Sequence, residues 1–291
     1  MDSPSFDVVI VGAGPAGLAA ATGVARAGLK ALCLDKLAPG GALINLTTLH
    51  DYKEPSDGPQ VASQLTDDAT AAGVELGFGE VVGLSGNGPW TVETAEGESH
   101  TSRAVVIATG LAKGRLGLPE EDQYEGRGLS HCASCDGPLY AGLPVIVAGA
   151  GGWATHEASE LTAFAGEVTI IDATAHKLPD GVHRLDGRIV ALEGSNGLES
   201  VVVESAGARK SVPASAVFVY VGQSPAAEFV PDSLARNATG HIVVNEGGRT
   251  SASTVFAVGD VRAGARCYLA DAIADGQRAA QAVVAALAKT T

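Results

Sequence analysis

Phe6-Asp7-Val8-Val9-Ile10-Val11-Gly12-Ala13-Gly14-Pro15-Ala16-Gly17 is the stretch that decides the fold. Phe6 to Val11 is a β-branched, apolar run of the kind that forms a buried strand of a parallel sheet. Gly-x-Gly-x-x-Gly follows at once. Leu18 to Ala27 is alanine-rich and reads as a helix ended by Gly28. Leu29 to Leu34 is a second apolar strand, finished by Asp35. In this strand–turn–helix–strand setting each glycine has a task. Gly12 makes the tight turn, Gly14 lets backbone approach a pyrophosphate, and Gly17 lets helix and strand pack closely. The helix start offers amide donors and the positive end of its dipole to phosphates, and Asp35 can accept from a ribose. The fold class that follows is α/β, built on a dinucleotide-binding unit.

The unit recurs. Leu143 to Ala148 is an apolar strand that runs into Gly149-Ala150-Gly151-Gly152-Trp153-Ala154. A helix to about Ala165 and a strand Val168 to Ile171 follow, ending in Asp172. Gly12 to Asp35 and Gly149 to Asp172 each span 23 positions, the mark of an internal duplication. Gly149, Gly151, Ala154 and Asp172 form a candidate second nucleotide site. A packed βαβ unit without ligand has the same pattern, and Trp153 is bulky where a pyrophosphate would rest.

Between the two units lies Ser130-His131-Cys132-Ala133-Ser134-Cys135-Asp136-Gly137-Pro138. Cys-x-x-Cys reads as redox chemistry, a small structural disulfide, or half a metal site. Cys33 and Cys267 are lone and far apart, so the ligand count argues against a closed zinc site, and no metal is expected. A structural disulfide here closes too small a loop to constrain the unfolded chain much. The redox reading leads, because such a pair cycles between dithiol and disulfide with little backbone movement. His131 is either a neighbouring cation or a loop histidine without a role. Cys33 should be buried and inert, and Cys267 lies in a late loop.

The chain has 291 residues and a formal charge of −14. The length suits two domains. The charge argues against nucleic acid or an anionic membrane surface as partner. Val8 to Ala25 is apolar, but its glycines and proline belong to the nucleotide-binding turn rather than to a membrane span. Met1 to Asp7 lacks the basic start of a signal peptide, so the expected location is the cytoplasm.

The rest of the chain fills in elements. Pro39-Gly40-Gly41 and the tract Asn45 to Tyr52 read as a loop over the first turn, and Gln60 to Ala72 as a helix. Val74 to Leu84, Trp90 to Thr94 and Arg103 to Ala108 read as strands, the last running into Thr109-Gly110. Ile189 to Leu192, Ser200 to Glu204 and Ala216 to Val221 read as a strand meander. Val255 to Val258 is a strand that delivers Gly259-Asp260 at its carboxyl end, where ligands of open α/β sheets bind. Tyr268 to Lys289 has helical spacing.

These motifs together resemble the low-molecular-weight thioredoxin reductases, FAD-dependent enzymes of the pyridine nucleotide-disulfide oxidoreductase class. The resemblance runs nearly end to end, through Gly12–Gly17, Pro39-Gly40-Gly41, Ala108-Thr109-Gly110, Cys132–Gly137, Val219-Tyr220-Val221-Gly222 and Phe256–Val261. It implies two Rossmann-like three-layer nucleotide-binding domains. The FAD domain is discontinuous, 1–113 with 244–291, and 114–243 carries the second nucleotide fold and the cysteine pair. By resemblance Gly12, Gly14, Pro15, Ala16, Gly17, Asp35 and Lys36 hold the ADP part of FAD. Thr109, Gly110 and Gly259 line it. Gly41 and Asp51 lie near the flavin, Asp51 standing where the family usually has Asn. Asp260 serves the ribityl chain, with Val261 beside the ring. Cys135 faces the flavin, Cys132 attacks the external disulfide, and Asp136 shuttles the proton. A homodimer is implied.

The departures concern the nicotinamide nucleotide. The family's His-Arg-Arg-x-x-x-Arg tract, which binds the NADPH 2′-phosphate, reads Asp172-Ala173-Thr174-Ala175-His176-Lys177-Leu178 here. Asp172 would repel that phosphate, and the chain is short before Arg188 for the usual helix. The family's Arg-Gln pair before the last helix appears as Ala270-Asp271. The expected activity is reduction of thioredoxin or a related disulfide. Electrons come from NADH or a protein donor such as ferredoxin rather than from NADPH. The alternative is a dithiol oxidase passing electrons from a small dithiol through FAD to oxygen; Asp136, where many such oxidases have His, favours the reductase.

Overall fold

The structure is a computed structural model that describes residues 5–46, 49, 57–149, 151–171 and 178–290. The expectations placed on Asp51, on Asp172 and on the tract that follows it lie outside the described residues. In chain order the elements are β1 (Phe6–Val11), α1 (Pro15–Arg26), β2 (Ala31–Asp35), α2 (Gly58–Ala71), β3 (Glu75–Phe78), β4 (Val81–Gly86), β5 (Trp90–Thr94), β6 (Ser99–Ile107) and β7 (Leu111–Lys113). Next come α3 (Glu121–Tyr124), β8 (Leu129–Ser130), α4 (Ala133–Asp136), β9 (Pro144–Gly149), α5 (Gly151–Leu161), β10 (Glu167–Ile171) and β11 (Val182–Leu185). The chain continues through β12 (Arg188–Glu193), β13 (Ser200–Ser205), β14 (Ala208–Pro213), β15 (Ala216–Tyr220), β16 (Gln223–Pro225), β17 (Val255–Ala257) and α6 (Leu269–Leu287).

Two compact units emerge, 1–112 with 224–291 and 113–223. The second boundary therefore falls about one loop earlier than the 243/244 boundary expected above. Ala227, Val230, Leu234 and Ile242 explain the shift. They are buried in one cluster with Val9, Val11, Ile107 and Val255 of the first unit. They come from irregular chain, so no periodicity announced them.

The first unit is centred on a sheet of order β3-β2-β1-β6, with β17 also parallel to β6. β1 pairs in parallel with both β2 and β6, and Val8, Val9 and Ile10 are fully buried. Each such side chain contributes about 1.5–3 kcal/mol relative to exposure. Val74 to Leu84 is two strands rather than one. β3 runs parallel to β2 and β4 antiparallel to β5, so the chain must turn between them. α2 is capped by Asp57, whose carboxylate accepts from Gln60 N–H at 2.7 Å. α1 and α6 pack closely because small residues face each other. A Cβ on Gly276 would sit 2.2 Å from Ala16 O.

In the second unit β11-β10-β9-β15-β8 form an all-parallel sheet, with the antiparallel β12-β13-β14 as a separate one. Two expectations change. Ala216 to Val221 does not close the meander; β15 sits between β9 and β8 in the parallel sheet, and β14 completes the meander. The alternation of β14 is weak because all but one of its residues are exposed. β11 pairs with β10 in the stretch expected to be too short for a helix.

Candidate functional site

In the first unit the β1–α1 turn is made by close backbone approach. Gly12 has φ +102°, and a Cβ there would lie 2.5 Å from Ala108 O. A Cβ on Gly17 would lie 1.9 Å from Gly12 O. Gly14 differs: nothing lies within 4 Å of its missing Cβ, so this backbone faces open space. α1 starts with Pro15 in its first turn and no side chain caps it. Its first amides are therefore left for a ligand.

Other expected residues converge here. Gly40 N–H donates to Ala13 O at 2.7 Å, and a Cβ on Gly41 would lie 3.0 Å from Gly14 Cα. A Cβ on Gly259 would lie 3.0 Å from the Cβ of Ala16. Asp35 accepts from Ala13 N–H at 2.8 Å through one oxygen and from Leu37 N–H at 3.0 Å through the other. Lys36 is exposed and paired with Glu80 at 3.2 Å. Thr109 Oγ1 donates to Ala226 O at 2.5 Å, and Gly110 follows at φ +65°. Asp260 is partly buried; burial raises its carboxyl pKa, and a hydrogen bond from the Cys267 thiol works against that rise. Val261 is fully buried.

Asp275, unmarked in the sequence reading, ties this region together from α6. It is buried, pairs with Arg262 and Arg278, and accepts from Gly259 N–H at 3.3 Å. Its carboxylate thus fixes the turn Gly259–Val261 that carries Asp260.

In the second unit Cys132 and Cys135 are joined in a disulfide, with Cα atoms 5.3 Å apart. Cys132 is the N-cap of the single-turn α4, and its Sγ accepts from Cys135 N–H at 3.2 Å. Asp136 ends that turn and accepts from Ser130 Oγ at 2.6 Å, while Cys132 N–H donates to Ser130 Oγ at 3.2 Å. Ser130 is buried, so one hydroxyl links the backbone of the capping cysteine to the carboxylate. Ala133 N–H reaches both Tyr220 Oη and Glu157 Oε2. His131 turns to Glu125, with Nε2 at 3.0 Å from its carboxylate. The second turn keeps its backbone form: Gly149 has φ +149°, Gly151 opens α5 and Ala154 is fully buried. Trp153 in the first turn of α5 is half-exposed. Of the other cysteines, Cys33 is buried and its thiol is pushed far up by burial and by Asp35. Cys267 is exposed.

Residues 6–288 match the family model described as pyridine nucleotide-disulphide oxidoreductase. The chain belongs to this family. The thioredoxin reductase of Bacillus subtilis is 30% identical over 302 residues that cover 96% of this chain and 93% of that one. Among solved structures, the thioredoxin reductase of Lactococcus lactis superposes with a TM-score of 0.88 at 30% identity, covering 98% of this chain and all of that one. A ferredoxin-flavin thioredoxin reductase from Clostridium acetobutylicum gives 0.56 at 25% identity, with 98% of each chain covered. The protein is accordingly a flavoprotein disulfide oxidoreductase with the two-domain, Rossmann-like fold of the thioredoxin reductases. The residues fit the FAD that the family uses. Gly14 leaves open space beside uncapped amides, which suits a pyrophosphate, and Asp35 keeps lone pairs for a ribose. Among the described residues no helix is long and apolar enough to cross a membrane.

Ser130, Glu157 and Tyr220 are site neighbours that the sequence reading did not single out. Ser130 stood in the quoted redox stretch and Tyr220 in the quoted Val219-Tyr220-Val221-Gly222. Glu157 lies three residues after Ala154 and one before Ala158, on the border of the buried face of α5. That position could have shown that its carboxylate looks inward.

Proposed function

We propose that the protein reduces the disulfide of thioredoxin or a thioredoxin-like protein through its own Cys132–Cys135 pair, with FAD held at the β1–α1 turn. The observation that carries this reading is the closed disulfide capping α4, beside Asp136 and Ser130, in a chain 30% identical to the thioredoxin reductase of Bacillus subtilis. FAD, when bound, supplies the two-electron couple that protein side chains lack. In the dithiol form Cys132 is the attacking sulfur, because the Cys135 N–H that it accepts favours a thiolate there. Its attack on a partner disulfide forms a Cys132–partner mixed disulfide and releases the partner's other sulfur as a thiolate, which takes up a proton. Cys135 then attacks the Cys132 sulfur. That step restores the Cys132–Cys135 bond and frees the partner as a dithiol. Asp136, oriented by the Ser130 hydroxyl, accepts and returns the protons.

The donor belongs to the same proposal. Asp172 and the missing arginines speak against NADPH, and Trp153 occupies the first turn of the second fingerprint helix. Two guanidinium contacts to a 2′-phosphate are worth roughly 1.5–3 kcal/mol each, so their loss costs about two to four orders of magnitude in affinity. NADH or a reduced ferredoxin takes its place, the latter supported by the similarity to a ferredoxin-flavin enzyme. The reading includes a homodimer and a cytoplasmic setting, where a cysteine pair stays free to cycle. Anaerobic bleaching of the oxidised-flavin band with NADPH, NADH, reduced ferredoxin and dithiothreitol, followed by insulin-coupled thioredoxin reduction, tests it. Bleaching by NADH or ferredoxin, with thioredoxin turnover, is expected. Rapid stoichiometric bleaching by micromolar NADPH refutes the donor reading, and absence of disulfide reduction with every donor refutes the whole.

A further inference from the structure

Ala133 is the first residue of α4 and is fully buried. The opening amides of a helix have no carbonyl partner within it, and a buried orphan amide costs about as much as a lost hydrogen bond. Here two side chains from different elements take it. Tyr220 Oη, at the end of β15, accepts at 3.1 Å, and Glu157 Oε2, from α5, accepts at 3.3 Å. Tyr220 Oη in turn donates to Glu157 Oε2 at 2.6 Å. Burial first, then the hydrogen bond to Glu157, pushes the phenol pKa far up, so Tyr220 stays a donor at any working pH.

We propose that Tyr220 and Glu157 are positioning residues for the reduced form: they hold the start of α4, and with it the capping geometry that stabilises the Cys132 thiolate, once the disulfide is open. In the oxidised protein the S–S bond itself ties the two ends of this turn. After reduction the turn keeps only its hydrogen bonds, and a four-residue helix has almost no stability of its own. Cys132 Sγ would then depend on the Cys135 N–H at 3.2 Å and on Ser134 Oγ at 3.5 Å. Both contacts hold only while Ala133 stays fixed against α5 and β15. The two residues act in opposite electrostatic senses. Tyr220 anchors the amide and takes up part of the Glu157 charge. Glu157 anchors the same amide but sets a negative charge one residue from the sulfur, which disfavours a thiolate. Among the described residues, Asp136 and Tyr140, which follow the turn in sequence, and the His131–Glu125 pair, which precedes it, also stand around it.

The inference rests on the redox reading of the cysteine pair, but its test needs neither thioredoxin nor the natural donor. The purified flavoprotein, Tyr220→Phe and Glu157→Gln are reduced with dithiothreitol, desalted anaerobically and alkylated with iodoacetamide across a range of pH. Fragment ions in tandem mass spectrometry read Cys132 and Cys135, which share one peptide, separately, and Cys267 is read from its own peptide. In Tyr220→Phe the Cys132 rate at neutral pH falls about two- to tenfold, the scale of one hydrogen bond, and its profile moves to higher pH. In Glu157→Gln the acceptor oxygen remains but the charge is gone, so the Cys132 profile moves to lower pH. Cys267 stays unchanged. Opposite shifts support the assignment, since damaged packing would move both variants alike. Identical Cys132 profiles in all three proteins, or a parallel fall in both variants, overturn it. Opposite shifts in a protein that fails to reduce thioredoxin with any donor would leave this assignment standing and count against the proposed substrate instead.

Discussion

Cys132 and Cys135 differ in surroundings, and in the proposed mechanism that difference makes Cys132 the attacking sulfur. Cys132 caps the turn and draws the Cys135 amide onto its sulfur. Replacing either cysteine by Ser lowers thioredoxin turnover by at least about a thousandfold, as expected when residues act as a unit. The two variants then diverge. Cys135→Ser accumulates a mixed disulfide with thioredoxin on non-reducing gels, whereas Cys132→Ser does not; the reverse pattern would exchange their roles. Asp275 makes a second case at this scale. Its carboxylate holds Arg262, Arg278 and the Gly259 amide at once. Asp275→Asn leaves the partly buried Arg262 without its counter-charge. Arg278 is half-exposed, so the cost falls at or below the low end of the about 3–5 kcal/mol typical of a broken buried pair. The expected outcome is a lower melting temperature and faster loss of FAD on dialysis. Unchanged FAD retention would detach Asp275 from the cofactor turn.

Among the elements, β1, β6 and α6 are tied by one side chain. Arg103 on β6 donates to Asp7 Oδ1 at 2.9 Å and to Leu287 O at 3.0 Å. Burial alone would raise the Asp7 pKa from 3.8, but the Lys30 amide and Arg103 together hold it below that value. A carboxyl depressed in the folded state stabilises fully above its unfolded pKa, and the gain is lost as pH falls through the folded value. Asp7→Asn is therefore expected to lower stability at neutral pH by about 1 kcal/mol and to matter progressively less below pH 3.8. Denaturant midpoints measured against pH check this, and a difference that grows on acidification would contradict it. This scale also shows what the sequence could and could not convey. β1 and β9 were legible within a residue or so because each is an apolar run bounded by glycine, proline or polar residues, and β5 because glycine- and glutamate-containing turns flank it. The glycine turn was equally plain, since its residues are dictated by backbone space. The segment 224–243 was not, because isolated buried residues such as Val230 and Leu234 leave no period. Nor were β14 and the Tyr220–Glu157 contact, where exposure erases alternation and a side-chain pair depends on two elements far apart in the chain.

At the scale of the whole molecule, each unit has cores of its own, built around β1 in the first and β9 in the second. A cofactor that binds only folded protein stabilises by mass action, about 2.7 kcal/mol at a hundredfold excess over Kd. Removing FAD should therefore raise amide hydrogen exchange chiefly in 5–46, 57–112 and 224–290, and leave β9, β10 and β15 protected. Equal loss of protection in both units would contradict binding at the β1–α1 turn alone. The split also orders events during synthesis. The second unit is an insertion, complete once residue 223 has been made, whereas the first still lacks β17 and α6, which pair with β6 and pack on α1. A ribosome delivers the chain from its N-terminus, at about 5–20 residues per second. The portion bearing the Cys132–Cys135 pair can thus reach its native form while the opening strands wait, unfinished, for the last stretch of the message. A transcript cut short before α6 would yield a folded thiol module attached to a nucleotide fold that cannot close.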